Sequence, residues 1–314
     1  MVPSNIFPWL ISCLLMSKVT LATEITDWFT VATASQDPGS CSSYIDAFDI
    51  HMDDVITLYD AIIEAQDYAF GDLRHENSDD GEKTLVAQKL FTTYFGIQFL
   101  EEFNNLYGQF IDDKTYQAPK TPPRVFCSDP GQKFDWDAIA FGPDGNALTD
   151  TDGEGISIKT LYKEQRGKFP YWVKEMKGYF FLDRLYENGI CSTETSIGQL
   201  AAATFYGHKF SLTDVNAFDG SDMRVGELAL GDMLVLCSTT IFGLNQPASL
   251  SELDGEFVGS EVQLTQVLPQ SVTLFHELWH MVTAWNTDNT LEQDEHVGDK
   301  TFYSSSMNVS DQNV

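Results

Sequence analysis

Basic residues are scarce in this chain. Its 314 residues carry 18 Lys and Arg against 47 Asp and Glu, a net charge of −29 at pH 7. A surface of that sign repels nucleic acid and anionic lipid, so the sequence argues against a nucleic-acid partner and against stable membrane association. It favours solubility and would attract basic substrates. Long apolar runs are also missing: nothing after the first 22 residues approaches the roughly 18 consecutive apolar residues of a membrane span. The five cysteines include no C-x-x-C pair, which weighs against a Cys-based zinc site. No internal repeat, low-complexity tract or long linker interrupts the chain. Hydrophobic residues nevertheless make up 43% of it, enough to build a core, which excludes a disordered acidic polymer.

The N-terminus reads as a secretory signal. Met1 to Ser4 is short and nearly uncharged, Ile6 to Leu15 is mostly apolar, and Thr20-Leu21-Ala22 offers a small-x-small cleavage site. The expected organisation is a signal peptide over 1–22 and one domain over 23–314, with 23–40 as a short N-terminal extension. Cys13 leaves with the signal. Cys41, Cys127, Cys191 and Cys237 remain, an even number in a predicted oxidising compartment, which points to two disulfides with three possible connectivities. The expected location is secreted and extracellular, as a monomer.

Periodicity predicts a helix over Tyr44 to Tyr68, with Ile45, Phe48, Met52, Ile56 and Leu58 alternating with acidic residues. Lys83 to Phe110 reads as one or two further helices with a bend at Gly96. Pro119 to Pro130 reads as a loop holding Cys127, and Asp129 to Gly155, rich in Gly, Asp and Pro, reads as irregular. Within it, Asp150-Thr-Asp152-Gly-Glu154-Gly155 copies the first half of a calcium loop. The twelfth position is Leu161, where a bidentate Glu is needed, so a polar turn is the better reading. Leu228 to Cys237 is apolar and strand-like. Asn308-Val-Ser310 is the one N-glycosylation sequon.

The most informative segment is His276-Glu277-Leu278-Trp279-His280, an HExxH motif. On a helix, residues four apart lie one turn above each other, so both imidazoles can bind one zinc ion, with Glu277 beside them to take a proton from water. The setting supports a helix. Ser271 follows Pro269 as a candidate N-cap, and Leu274, Leu278, Met281 and Trp285 form one apolar stripe. His276 and His280 fall on another face, with Thr273 and Ala284. The alternative is a chance match inside a buried amphipathic helix. With only 6 histidines in 314 residues, two at this spacing around a Glu favour the metal reading.

Catalytic zinc needs three protein ligands and an open position. Position six after His280 is Asn286 where HExxHxxGxxH would need His, and Glu292 and Glu295 lie too close for a ligand from a later helix. The remaining acids are Asp288, Asp294, Asp299 and Asp311, with His296 as a nitrogen donor.

With these residues the chain resembles the deuterolysin-type fungal metallopeptidases, the aspzincins, and the related lysine-specific metallo-endopeptidases. Beyond HExxH, the likeness rests on Cys41-Ser-Ser before a long helix, Phe91-Thr-Thr-Tyr-Phe-Gly96, Val125-Phe-Cys127-Ser-Asp and Val235-Leu-Cys237, in the order that family shows. It spans most of 41–314, and only HExxH is specific. The resemblance implies an α+β fold, a mainly helical zincin-like domain with a small β-sheet, and zinc-dependent cleavage of protein or peptide substrates. It implies an Asp as third ligand, within a GTxxDxxYG-like segment whose Tyr supports the oxyanion. The nearest match is Gly298-Asp299-Lys-Thr-Phe302-Tyr303. Asp299 is therefore the favoured third ligand, with Asp288 and Asp294 as alternatives. Phe302 occupies the place of the family Tyr, which leaves the oxyanion role to Tyr303. The order of cysteines in the family implies Cys41–Cys127 and Cys191–Cys237. Together with the acidic excess, the resemblance also implies a preference for Lys beside the scissile bond. The rival reading is a secreted binding or effector protein that keeps the zincin fold without turnover, motivated by the irregular third-ligand segment. A second rival is an acidic extracellular protein without metal, in which HELWH is core.

Overall fold

A computed structural model describes residues 24–71, 80–90, 107–112, 123–142, 144–162, 164, 166–195, 198–205, 209–210, 228–229, 231–253 and 268–283. The signal-peptide, Phe91–Gly96 and sequon readings lie outside them.

A four-stranded sheet carries the architecture. Strand β1 (Thr30–Val31) runs parallel to β2 (Arg124–Phe126), with Thr30 opposite Arg124. Farther along the chain come β3 (Gln132–Lys133), β4 (Lys168–Val173), β5 (Gly178–Asp183), β6 (Glu194–Thr195), β7 (Gly198–Gln199), β8 (Ala202–Phe205), β9 (Lys209–Phe210), β10 (Leu228–Ala229) and β11 (Met233–Leu236). The sheet order is β1-β2-β11-β8. Strand β11 is parallel to β2, and β8 closes the sheet antiparallel to β11, with Leu234 opposite Thr204.

Helices cover one face of this sheet. They are α1 (Ile45–Phe70), α3 (residues 107–112) and α6 (Ser271–Thr283), while α2 (Asp80–Leu90) packs on α1, with Ala87 against Ala69, and α4 (Ile158–Tyr162) and α5 (Ser238–Ile241) are short. Because side chains alternate along a strand, Val125, Leu234, Leu236 and Ala202 point to the helical side. They join Phe48, Met52 and Val55 of α1, Tyr107 and Phe110 of α3, and Leu274, Leu278 and Met281 of α6 in one core. Phe126, Met233, Val235 and Ala203 point the other way, against Phe169, Tyr171 and Val173 of β4 and Phe180 and Leu182 of β5. With both faces covered, β11 has no polar side chain to show, and its four residues are all buried.

The second layer is the antiparallel sheet β3-β4-β5. Its outer face, Trp172, Tyr179 and Phe181, packs on Phe134, Trp136, Phe141 and Tyr162. The polar turn at 150–155 forms as expected: the amides of Asp152 and Glu154 both donate to Asp150 Oδ1 at 2.9 Å, and Gly153 takes the left-handed conformation.

Several expectations need correction. Residues 24–40 pack into the fold: Ile25, Trp28, Phe29 and Ala32 are buried, and β1 adds an edge to the sheet. The loop expected over Pro119 to Pro130 contains β2, held between β1 and β11 because Val125 and Phe126 are needed in the two cores. The strand over Leu228 to Cys237 divides, since β10 pairs with β9 and only β11 enters the main sheet. The described residues mix helices with a four-stranded sheet, a three-stranded sheet and two two-stranded ribbons, more sheet than one small one.

The structure pairs Cys41 with Cys127 and Cys191 with Cys237. The first disulfide ties the start of α1 to the end of β2. The second ties the segment after β5 to the end of β11. Their loops span 86 and 46 residues. In a chain-entropy account, closing loops of this size limits the unfolded ensemble by about 4–5 kcal/mol each. No described helix is long and apolar enough to cross a membrane.

Candidate metal centre

Helix α6 forms where periodicity placed it. Leu274, Leu278 and Met281 lie on its buried side against α1 and the sheet. Burying each contributes about 2 kcal/mol, more than helix propensity supplies in a segment of this length. Its start differs from expectation: among the described residues the buried Ser271 Oγ has no hydrogen-bond partner, while the Val272 and Thr273 amides donate to the carbonyls of Pro269 and Gln270. Tyr107 of α3 supports the helix from below. Its ring lies 5.2 Å from that of Phe275, and its hydroxyl donates to the Phe275 carbonyl at 3.5 Å. Complete burial pushes the Tyr107 hydroxyl well above its usual pKa, so it stays a neutral donor.

On the other side of α6, His276 is exposed and His280 half-buried. Their Nε2 atoms lie 2.9 Å apart, with ring centroids at 4.5 Å and planes at 85°. This convergence is what the i, i+4 spacing predicts. Two nitrogens on one tetrahedral zinc, each about 2.0–2.1 Å from it, stand about 3.4 Å apart. The pair therefore fits the group after opening by roughly half an ångström, within reach of small χ changes. Both nitrogens act as ligands only when unprotonated.

Glu277 occupies a different environment. It is 7% exposed, and its carboxylate Oε2 accepts a hydrogen bond from Thr204 Oγ1 at 2.7 Å. The same hydroxyl lies 3.2 Å from the Glu277 carbonyl. Thr204 belongs to β8, the terminal strand of the sheet, and alternation along β8 turns both Ala202 and Thr204 toward the helices. The motif is thus divided: two histidines face outward, and the acid is drawn back against the sheet. Sequence reasoning missed Thr204, since nothing in a lone Thr 73 residues upstream signals contact with the motif.

Asp299, the alternatives Asp288 and Asp294, His296 and Tyr303 all lie outside the described residues. Among the described residues, no group of three His, Cys, Asp or Glu side chains converges to hold a metal ion. The described part of the centre is His276, His280 and Glu277. No known protein family, curated protein or solved structure matches the chain.

Proposed function

We propose that this protein is a secreted zinc-dependent metalloendopeptidase. The observation that carries the reading is the convergence of the His276 and His280 Nε2 atoms at 2.9 Å on the open side of α6, with Glu277 between them in sequence and anchored against the sheet. His276 and His280 would hold the ion, with Asp299 as the third ligand. Zinc, when bound, supplies Lewis acidity that lets water ionise near neutral pH. Glu277 accepts the proton of the attacking water and returns it to the leaving amine, which makes the amine a viable leaving group. Tyr303 donates a hydrogen bond to the tetrahedral oxyanion.

The terminal position of β8 adds a place for substrate. Among the described residues no strand pairs with its outer edge, and Thr204 on that strand touches Glu277. An extended peptide hydrogen-bonded along this edge would run past the motif, the usual logic of strand addition. Two disulfides and the acidic surface support an extracellular setting.

The test is metal quantification on the purified protein together with casein digestion, with and without a chelator. Stoichiometric zinc and chelator-sensitive digestion are expected. Zinc without digestion would assign the chain instead to a zincin-fold binding or effector protein. Absence of zinc would reject both.

A further inference from the structure

We propose that Thr204 is a positioning residue for Glu277, fixing the orientation of the general base from the sheet rather than from its own helix. The inference rests on the peptidase reading and adds a residue that HExxH does not contain. A Glu side chain has three rotatable bonds before its carboxylate, and a helix surface alone does not select one arrangement. Here the carboxylate is buried, so its rotamer is set by whatever donates to it. The Thr204 hydroxyl does so at 2.7 Å, a normal O–H···O hydrogen-bond distance.

Thr204 can serve because it is itself rigid. Its χ1 is restricted by β-branching, and its backbone is registered opposite Leu234 in a strand whose four residues pair with all of β11. The 3.2 Å approach to the Glu277 carbonyl places the same hydroxyl against both ends of the residue. The base is therefore referenced to β8, the strand along which substrate would lie, and not only to the histidines. A change in β8 should reach turnover through Glu277.

The experiment uses the full chain and four variants: Thr204→Val, Thr204→Ser, Glu277→Ala and the double variant T204V/E277A. Zinc content, kcat, KM and thermal midpoint are read for each. T204V is expected to keep its zinc and its KM while kcat falls about 10- to 100-fold, the range for losing an outer-shell partner. T204S restores most of kcat, because it restores the hydroxyl. T204V also lowers the thermal midpoint by on the order of 4 °C, and this drop is clearly smaller in the E277A background, where the hydroxyl keeps only the backbone carbonyl of residue 277 as acceptor. Unchanged kcat in T204V overturns the proposal. So does failure of T204S to rescue, or an equal drop in midpoint with and without Glu277, which would make Thr204 a packing residue. These outcomes differ from failure of the peptidase reading, in which the parent itself shows no zinc and no turnover; that result removes the positioning role as well.

Discussion

His51 gives this protein an acid-sensitive core, and the size of the effect follows from its surroundings. The ring is 2% exposed, set against Phe48 at 5.4 Å and Phe242 at 5.7 Å. Burial lowers its pKa to about 4, partly opposed by a hydrogen bond to the Ala248 backbone. Among the described residues its Nδ1 has no hydrogen-bond partner, so a second proton would be added to a buried nitrogen that none of them stabilises. In the unfolded chain His51 titrates near 6.5. Between pH 6.5 and 4 the unfolded state therefore binds a proton that the folded state refuses. Stability is full above about pH 6.5, falls as the pH drops through this window, and levels off below about 4 for this group. A difference of about 2.5 units at 1.36 kcal/mol each gives a loss of roughly 3 kcal/mol. The perturbation is His51→Leu, which fills the site without a titrating group. Urea unfolding of parent and variant at pH 7, 5.5 and 4 isolates the effect, because carboxylates common to both cancel in the difference. The parent should lose about 3 kcal/mol relative to H51L from pH 7 to pH 4. A difference that stays constant over this range would refute the reasoning.

Four further outcomes are expected. His276→Ala or His280→Ala should strongly reduce zinc content as measured by elemental analysis; normal zinc in both variants would remove the metal assignment. Glu277→Gln should retain zinc and fold but lose on the order of 10²–10⁴ in turnover, since it deletes the base and no ligand; undiminished proteolysis would take that role away. Asp299→Ala should weaken zinc binding while Asp288→Ala and Asp294→Ala do not, and a deficit in either of the latter instead would move the third ligand there. Replacing Cys41 and Cys127 together by Ala should lower stability by about 2–5 kcal/mol in denaturant titration, and peptide mapping without reduction should recover the Cys41–Cys127 and Cys191–Cys237 links.

Local chemistry was legible in the sequence. The i, i+4 histidines, the stripe Leu274, Leu278 and Met281, the long helix α1 and the polar turn at Asp150 depend on residues within a few positions of each other, and periodicity reports such neighbours directly. Even there, burial chose differently in places: α1 buries His51 and Asp54 beside Met52 and Val55, because the Phe242 ring lies on His51 and the Leu250 amide donates to Asp54 Oδ2. The hairpin β4–β5 escaped the sequence reading. Pro170 interrupts the first strand, although its position opposite Phe181 is compatible with pairing and its carbonyl accepts from Phe134. Strand β2 is three residues long, shorter than any periodicity can announce, and exists because β1 and β11 flank it. The disulfide pairing was implied by a family resemblance, whereas the folded chain brings the pairs together through contacts between segments 86 and 46 residues apart, which no local spacing encodes. The same holds for Glu277: its identity beside the histidines is written in five consecutive residues, but the carboxylate is aimed by a threonine on the terminal strand. Only the fold decides that, because a sheet and a helix meet through contacts between residues distant in the chain.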